Sequence, residues 1–121
     1  MNFKLLLLWK ITLKNKIKLI GNVASPYTRK MVAYLRYKRI PFEVIWGQPE
    51  EVLEKMNIQP PKPVLLPVFI LEKEGEEQAV TDSTPLIRYF ENLYPERSVL
   101  PKNPVMNFIN YVLEDFGDEW C

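Results

Sequence analysis

Apolar and polar positions change period several times along the 121-residue chain, and each change marks an element. Ile17-Lys18-Leu19-Ile20 reads as a short strand, closed by the turn signal Gly21-Asn22. From Pro26 the period becomes helical. Thr28, Met31, Val32 and Leu35 share one stripe, with Arg29, Lys30, Arg36 and Lys38 mostly outside it. Ser25 suits the cap of this helix and Pro26 its first position. Phe42-Glu43-Val44-Ile45-Trp46 predicts a second strand between Pro41 and Gly47. A short helix around residues 50–56 follows, broken by Gln59-Pro60-Pro61-Lys62-Pro63. A third strand over 67–71 is joined by a turn over 72–77 to a fourth over 78–81, as a hairpin. Ser83 opens a helix with Leu86, Ile87, Phe90, Leu93 and Tyr94 on one side, and Pro95 ends it.

The order strand, helix, strand, helix, hairpin, helix suits an α/β domain: a four-stranded mixed sheet covered by three helices, β-α-β-α-β-β-α, the thioredoxin-like architecture. After a loop over 96–103 a further helix begins near Pro104. Val105, Phe108, Ile109, Val112, Leu113, Phe116 and Trp120 form a wide apolar stripe along it, which calls for a partner surface. No cap signal follows, so this element reads as the first helix of an incomplete all-α domain. The expected organisation is an N-terminal extension over 1–16, a thioredoxin-like domain over 17–101, and a linker plus first helix over 102–121.

Composition narrows the function classes. The hydrophobic fraction of 47% belongs to a globular chain. Cys121 is the one cysteine and there is no histidine, which excludes an internal disulfide framework, a Cys/His zinc site and serine–histidine or cysteine–histidine nucleophiles. A reducing, cytoplasmic location fits this usage, and no metal is expected. Residues 1–42 carry ten basic side chains and no acid, whereas 43–121 carry six basic and fifteen acidic ones. That asymmetry is either two solvated faces or a basic half that attracts an anion. No basic–aromatic stripe accompanies it, so nucleic acid is not an expected partner. Leu5-Leu6-Leu7-Leu8-Trp9 is too short to span a bilayer and lacks a small-residue cleavage site, so no membrane partner is expected. It is either an extension that packs its apolar side or a product of where translation is taken to start.

Three local features, in this order, resemble the glutathione S-transferase family. Ser25-Pro26-Tyr27-Thr28-Arg29-Lys30 follows the first strand, where relatives place a serine or cysteine and glutaredoxins place Cys-Pro-Tyr-Cys. Leu66-Pro67 enters the third strand at the position of the family's cis-proline. Asp82-Ser83 opens the third helix and is similar to the acid–serine pair that holds the γ-glutamyl end of glutathione. Residues 86–97 also resemble the family's third helix and exit loop. The resemblance covers about 85 of the 121 residues.

The resemblance implies specific roles. Amides and dipole at a helix N-terminus favour a thiolate, and Ser25 is the implied hydroxyl donor to the sulfur of glutathione. Serine and threonine stand at both redox positions, so disulfide exchange is excluded. Tyr27 either packs its ring at the helix start or brings its phenol near the thiol. A cis bond at Leu66-Pro67 exposes the Leu66 backbone for pairing with the cysteinyl residue of glutathione. Ser83 and the adjacent amides suit the γ-glutamyl carboxylate, while Asp82 reaches the ammonium. Lys62 is either the partner of the glycyl carboxylate or a solvated loop lysine.

The implied function is that of a glutathione transferase, with glutathione as co-substrate and an electrophilic small molecule as second substrate. The alternative is a non-catalytic binding or interaction module on the same fold. The resemblance also implies a homodimer through this domain and the following helix.

Overall fold

The computed structural model describes residues 17–120. The extension expected over 1–16, Cys121 and the side chain of Trp120 lie outside the described residues. The elements are β1 (Ile17–Gly21), α1 (Pro26–Lys38), β2 (Phe42–Trp46), α2 (Pro49–Lys55), β3 (Val68–Lys73), β4 (Glu76–Val80), α3 (Ser83–Leu93) and α4 (Pro104–Trp120). The strands form one sheet in the order β2-β1-β3-β4, with β1 and β2 parallel and the other two pairs antiparallel. This is the mixed thioredoxin-like sheet expected from the element order.

Strand alternation splits the core between two faces. Leu19 and Phe69 join Met31, Tyr34 and Leu35 of α1 and Leu86, Ile87 and Phe90 of α3. Their neighbours Ile20, Val68 and Ile70 pack with Leu53 of α2 on the other face. Phe90 is the hub of the larger cluster, its ring centroid 5.5 Å from that of Phe69. Complete burial of such a side chain contributes about 1.5–3 kcal/mol.

The β3–β4 hairpin is tighter than the turn expected over 72–77. Lys73 pairs with Glu76, and only Glu74 and Gly75 lie between them, with φ of 56° and 82°. Positive φ at both central residues is the geometry that matches strand twist, and it extends both strands through the glutamates. Leu93 is also displaced from its expected place on the apolar side of α3: it is 55% exposed, at the last position of the helix.

The larger departure concerns α1. Lys38, expected outside the apolar stripe, is buried and ion-paired with buried Glu91 of α3 at 3.1 Å. Lys38 also donates to the Tyr94 carbonyl. Glu91 accepts further bonds from Tyr34 (2.9 Å), from Ser98 and from the Val99 N–H (3.3 Å), joining α1, α3 and the exit loop. Burial alone would raise the Glu91 pKa, but the bonds from Ser98, Tyr34, Lys38 and Val99 outweigh it and hold the carboxyl below its ordinary value. Burial, then the hydrogen bond to Glu91 and its charge, pushes the Tyr34 phenol well up.

α4 presents an exposed apolar side, with Phe108 67% exposed. Asn110, Glu114, Gly117 and Asp118 are half-buried instead. Among the described residues no helix is long and apolar enough to cross a membrane.

Candidate glutathione site

Register brings the three segments singled out in the sequence to one end of the sheet. Ile20 pairs with Val68, so Gly21 and Pro67 continue that ladder side by side. Phe69 pairs with Val80, so Thr81 and Asp82 run past the start of β3. Ser25, Pro67 and Ser83 therefore gather where β1 and β4 end and β3 begins. Gly21 also pairs with Trp46, whose side chain is exposed beside this edge.

The corner after β1 is held by short-range bonds. The Ala24 N–H donates to Asn22 Oδ1 at 2.9 Å and the Ser25 N–H to the Asn22 carbonyl at 3.0 Å. Arg29 Nε donates to the Val23 carbonyl at 2.9 Å. Gly21 lets the helix approach: a Cβ there would stand 2.4 Å from Thr28 Cγ2. Thr28, at the second redox position of the glutaredoxin motif, is fully buried and its Oγ1 accepts from the Asn22 N–H at 3.4 Å. It is a packing residue of the corner.

Ser25 caps α1, its Oγ accepting from the Thr28 N–H at 3.2 Å. That bond occupies an acceptor lone pair and leaves the hydroxyl proton free to donate. Ser25 is half-buried. Tyr27 packs at the helix start, and its phenol donates to the Asp118 carbonyl at 2.6 Å. The proton of that phenol is therefore committed to α4.

The Leu66–Pro67 bond is cis, and so is Lys62–Pro63. Pro67 is buried and Leu66 half-buried, while Lys62 is exposed. The Thr81 hydroxyl donates to the Pro63 carbonyl at 3.5 Å and ties the proline-rich loop to the end of β4. Asp82 precedes α3 with φ 81° and ψ 112° and makes no side-chain cap bond. Such a backbone costs a non-glycine residue on the order of 1–3 kcal/mol. Ser83 is buried at the first position of α3. Pro85 lacks an N–H, so the amides of Ser83 and Thr84 are the donors of that turn.

Beside this edge, a cavity of about 510 Å³ lies between α1, α3, the exit loop and α4. Pro26, Tyr27, Ile87, Leu100 and Leu113 are among its largely apolar walls, with Lys30 and Asp118 at its polar end. Ser25, Leu66 and Ser83 are not among them, so this cavity adjoins the corner rather than containing it.

Sequence periodicity overlooks two groups of residues here. Lys38 lies three residues after Leu35 and seven after Met31, which is the signal that it shares their stripe. Asn110, Glu114 and Asp118 recur every four residues along α4, a polar stripe that marks the side turned to α1 and α3.

Residues 19–98 match the sequence profile described as glutathione S-transferase, N-terminal domain. No curated protein sequence matches the chain. Among solved structures, a glutathione S-transferase from Rhodospirillum rubrum is 26% identical with a TM-score of 0.66, over 85% of this chain and 45% of that one. A Tau-class glutathione S-transferase from mango is 23% identical with a TM-score of 0.68, over 87% and 46%. A glutathione S-transferase from Methylobacterium radiotolerans, in complex with glutathione sulfonate, is 24% identical with a TM-score of 0.63, over 78% and 42%. The chain thus spans less than half the length of each of these proteins. The profile match, covering the sheet, the Ser25 corner, the cis-proline turn and the start of α3, makes the chain a member of the glutathione S-transferase family, of which it carries the N-terminal domain.

Proposed function

We propose that residues 17–101 bind glutathione across the N-termini of α1 and α3, and that the complete protein conjugates it to an electrophilic small molecule. What supports this reading is the state of Ser25: one of its lone pairs caps α1, and its proton is available at a helix N-terminus. A thiolate beside it gains a hydroxyl donor, the Tyr27 amide and the helix dipole together, which lowers the thiol pKa and raises the fraction present as the reactive thiolate at neutral pH. Ser25 stabilises the nucleophile and is not one itself.

In this reading the exposed Leu66 backbone at the cis turn pairs with the cysteinyl residue. Ser83 and the Ser83 and Thr84 amides hold the γ-glutamyl carboxylate, and Asp82 takes the ammonium. Lys62 approaches the glycyl carboxylate. The Tyr27 ring forms the border between this site and the apolar cavity. The relative solved with glutathione sulfonate and a maleylacetoacetate isomerase from Anaeromyxobacter dehalogenans solved with bound glutathione support the choice of ligand. We place a cytoplasmic, dimeric protein in the same proposal, with residues 102–121 opening a helical unit.

Calorimetric titration of glutathione into wild type and Ser83→Ala tests the site. Binding that weakens in the variant is expected, and no binding in wild type sinks the reading. Turnover of a chromogenic electrophile, lost on Ser25→Ala, is expected of the enzyme. Binding without any turnover favours the non-catalytic module.

A further inference from the structure

α4 meets α1 and α3 through charged and polar contacts of Glu114 and Asp118. Glu114 Oε1 accepts from Lys30 Nζ at 3.2 Å and from Thr84 Oγ1 at 3.2 Å. Asp118, one turn later, accepts from the same Lys30 Nζ at 3.2 Å. Its carbonyl takes the Tyr27 phenol. Lys30 lies just over one turn beyond the Ser25 cap, and Thr84 directly follows Ser83. One carboxylate oxygen therefore spans the starts of the two helices to which the glutathione reading assigns the thiolate and the γ-glutamyl carboxylate.

We infer that Glu114 is a positioning residue for the glutathione site: by bridging Lys30 of α1 and Thr84 of α3 it fixes the two helix N-termini relative to each other. The inference rests on the reading of those N-termini as the glutathione site. Anchoring Thr84 orients its amide, a first-turn donor that matters more because Pro85 supplies none. Anchoring Lys30 orients the first turns of the helix that carries Ser25, beside the separate bond from Tyr27 to the Asp118 carbonyl. A ligand held at both ends binds best when their separation is preset, since the ordering cost is met on folding rather than on binding. Lys30 also offsets the negative charge that Glu114 and Asp118 bring close to an anion site.

Charge and position make opposite predictions for Glu114. If its field alone mattered, removing the carboxylate would tighten the binding of an anionic ligand. If it positions the helices, truncation weakens binding and glutamine, whose amide oxygen still accepts, restores it. The experiment titrates glutathione by calorimetry into the full chain as wild type, Glu114→Ala, Glu114→Gln and Thr84→Val, with thermal unfolding followed for each. Glu114→Ala and Thr84→Val are each expected to weaken binding by about threefold to tenfold, the range of one lost hydrogen bond. Glu114→Gln should bind close to wild type. The double variant Glu114→Ala/Thr84→Val should be no worse than the weaker single one, because both remove the same contact. Wild-type binding that Glu114→Ala leaves unchanged or tightens overturns the inference alone. Absence of binding in wild type overturns the glutathione reading, and the inference with it. Should Glu114→Ala not fold, Thr84→Val decides, since it removes one hydroxyl and leaves the Lys30–Glu114 pair in place.

Discussion

Lys38 and Glu91 form a 3.1 Å ion pair in which both side chains are withdrawn from water. Each charge is expensive to bury alone, and Tyr34, Ser98 and Val99 occupy the remaining acceptor capacity of the carboxylate. Glu91→Ala leaves Lys38 uncompensated and should destabilise the domain by about 3–5 kcal/mol. Lys38→Met combined with Glu91→Leu should cost less than Glu91→Ala alone, because no buried charge remains. Denaturant unfolding of the two variants measures this, and equal losses for the single and double variants would refute it.

The same carboxylate sets an acid limb of stability. Its pKa is depressed in the folded state, so the unfolded chain binds the proton more readily. Its contribution is complete above the unfolded value of about 4.3 and is lost as pH falls through the lower folded value. Melting temperature should therefore drop as pH is lowered from 5 to 3 (about the range in which glutamates titrate). Glu91→Gln should flatten that drop while lowering stability at pH 7. An unaltered slope in the variant assigns the acid limb to other carboxylates.

Gly21 and Thr28 are matched by space. A methyl group on Gly21 meets Thr28 Cγ2 at 2.4 Å with the helix start behind it. Gly21→Ala should cost about 1–3 kcal/mol through overpacking. Thr28→Ser, which deletes that Cγ2, should recover part of the loss in the double variant although it is destabilising by itself. Simple additivity of the two changes would show that the clash is absorbed elsewhere.

Capping and chemistry at Ser25 are separable. Ser25→Ala should lose about 1 kcal/mol of stability with the cap. Ser25→Asp keeps a capping oxygen but has no proton to give at neutral pH and repels a thiolate. It should melt close to wild type yet raise the pKa of bound glutathione, read as loss of the thiolate absorbance near neutral pH. A thiolate signal that survives Ser25→Asp would remove Ser25 from the proposed role.

The helix starts were legible because their signals are local. Ser25-Pro26 specifies the cap and first turn of α1 through one hydroxyl and one ring, whatever packs around them. The strands were legible from alternation, although the hairpin runs longer than its polar residues suggest, since Glu72, Lys73, Glu76 and Glu77 lie in the sheet and still face water. Lys38 differs: its place on the Leu35 stripe is local, but its partner Glu91 belongs to another helix.

By itself, then, the sequence determined the order and type of the elements, the start of each long helix and the absence of redox cysteines at the corner, all of which follow from neighbours within a few residues. Tertiary structure decided the rest. Strand order and register brought Ser25, Pro67 and Ser83 to one edge. Burial of α1 against α3 gave Lys38 its counter-charge. The charges of Glu114 and Asp118 turned the polar side of α4 toward Lys30. Each of these depends on contacts between segments far apart in the chain, where the energy of pairing and burial, not local propensity, selects the arrangement.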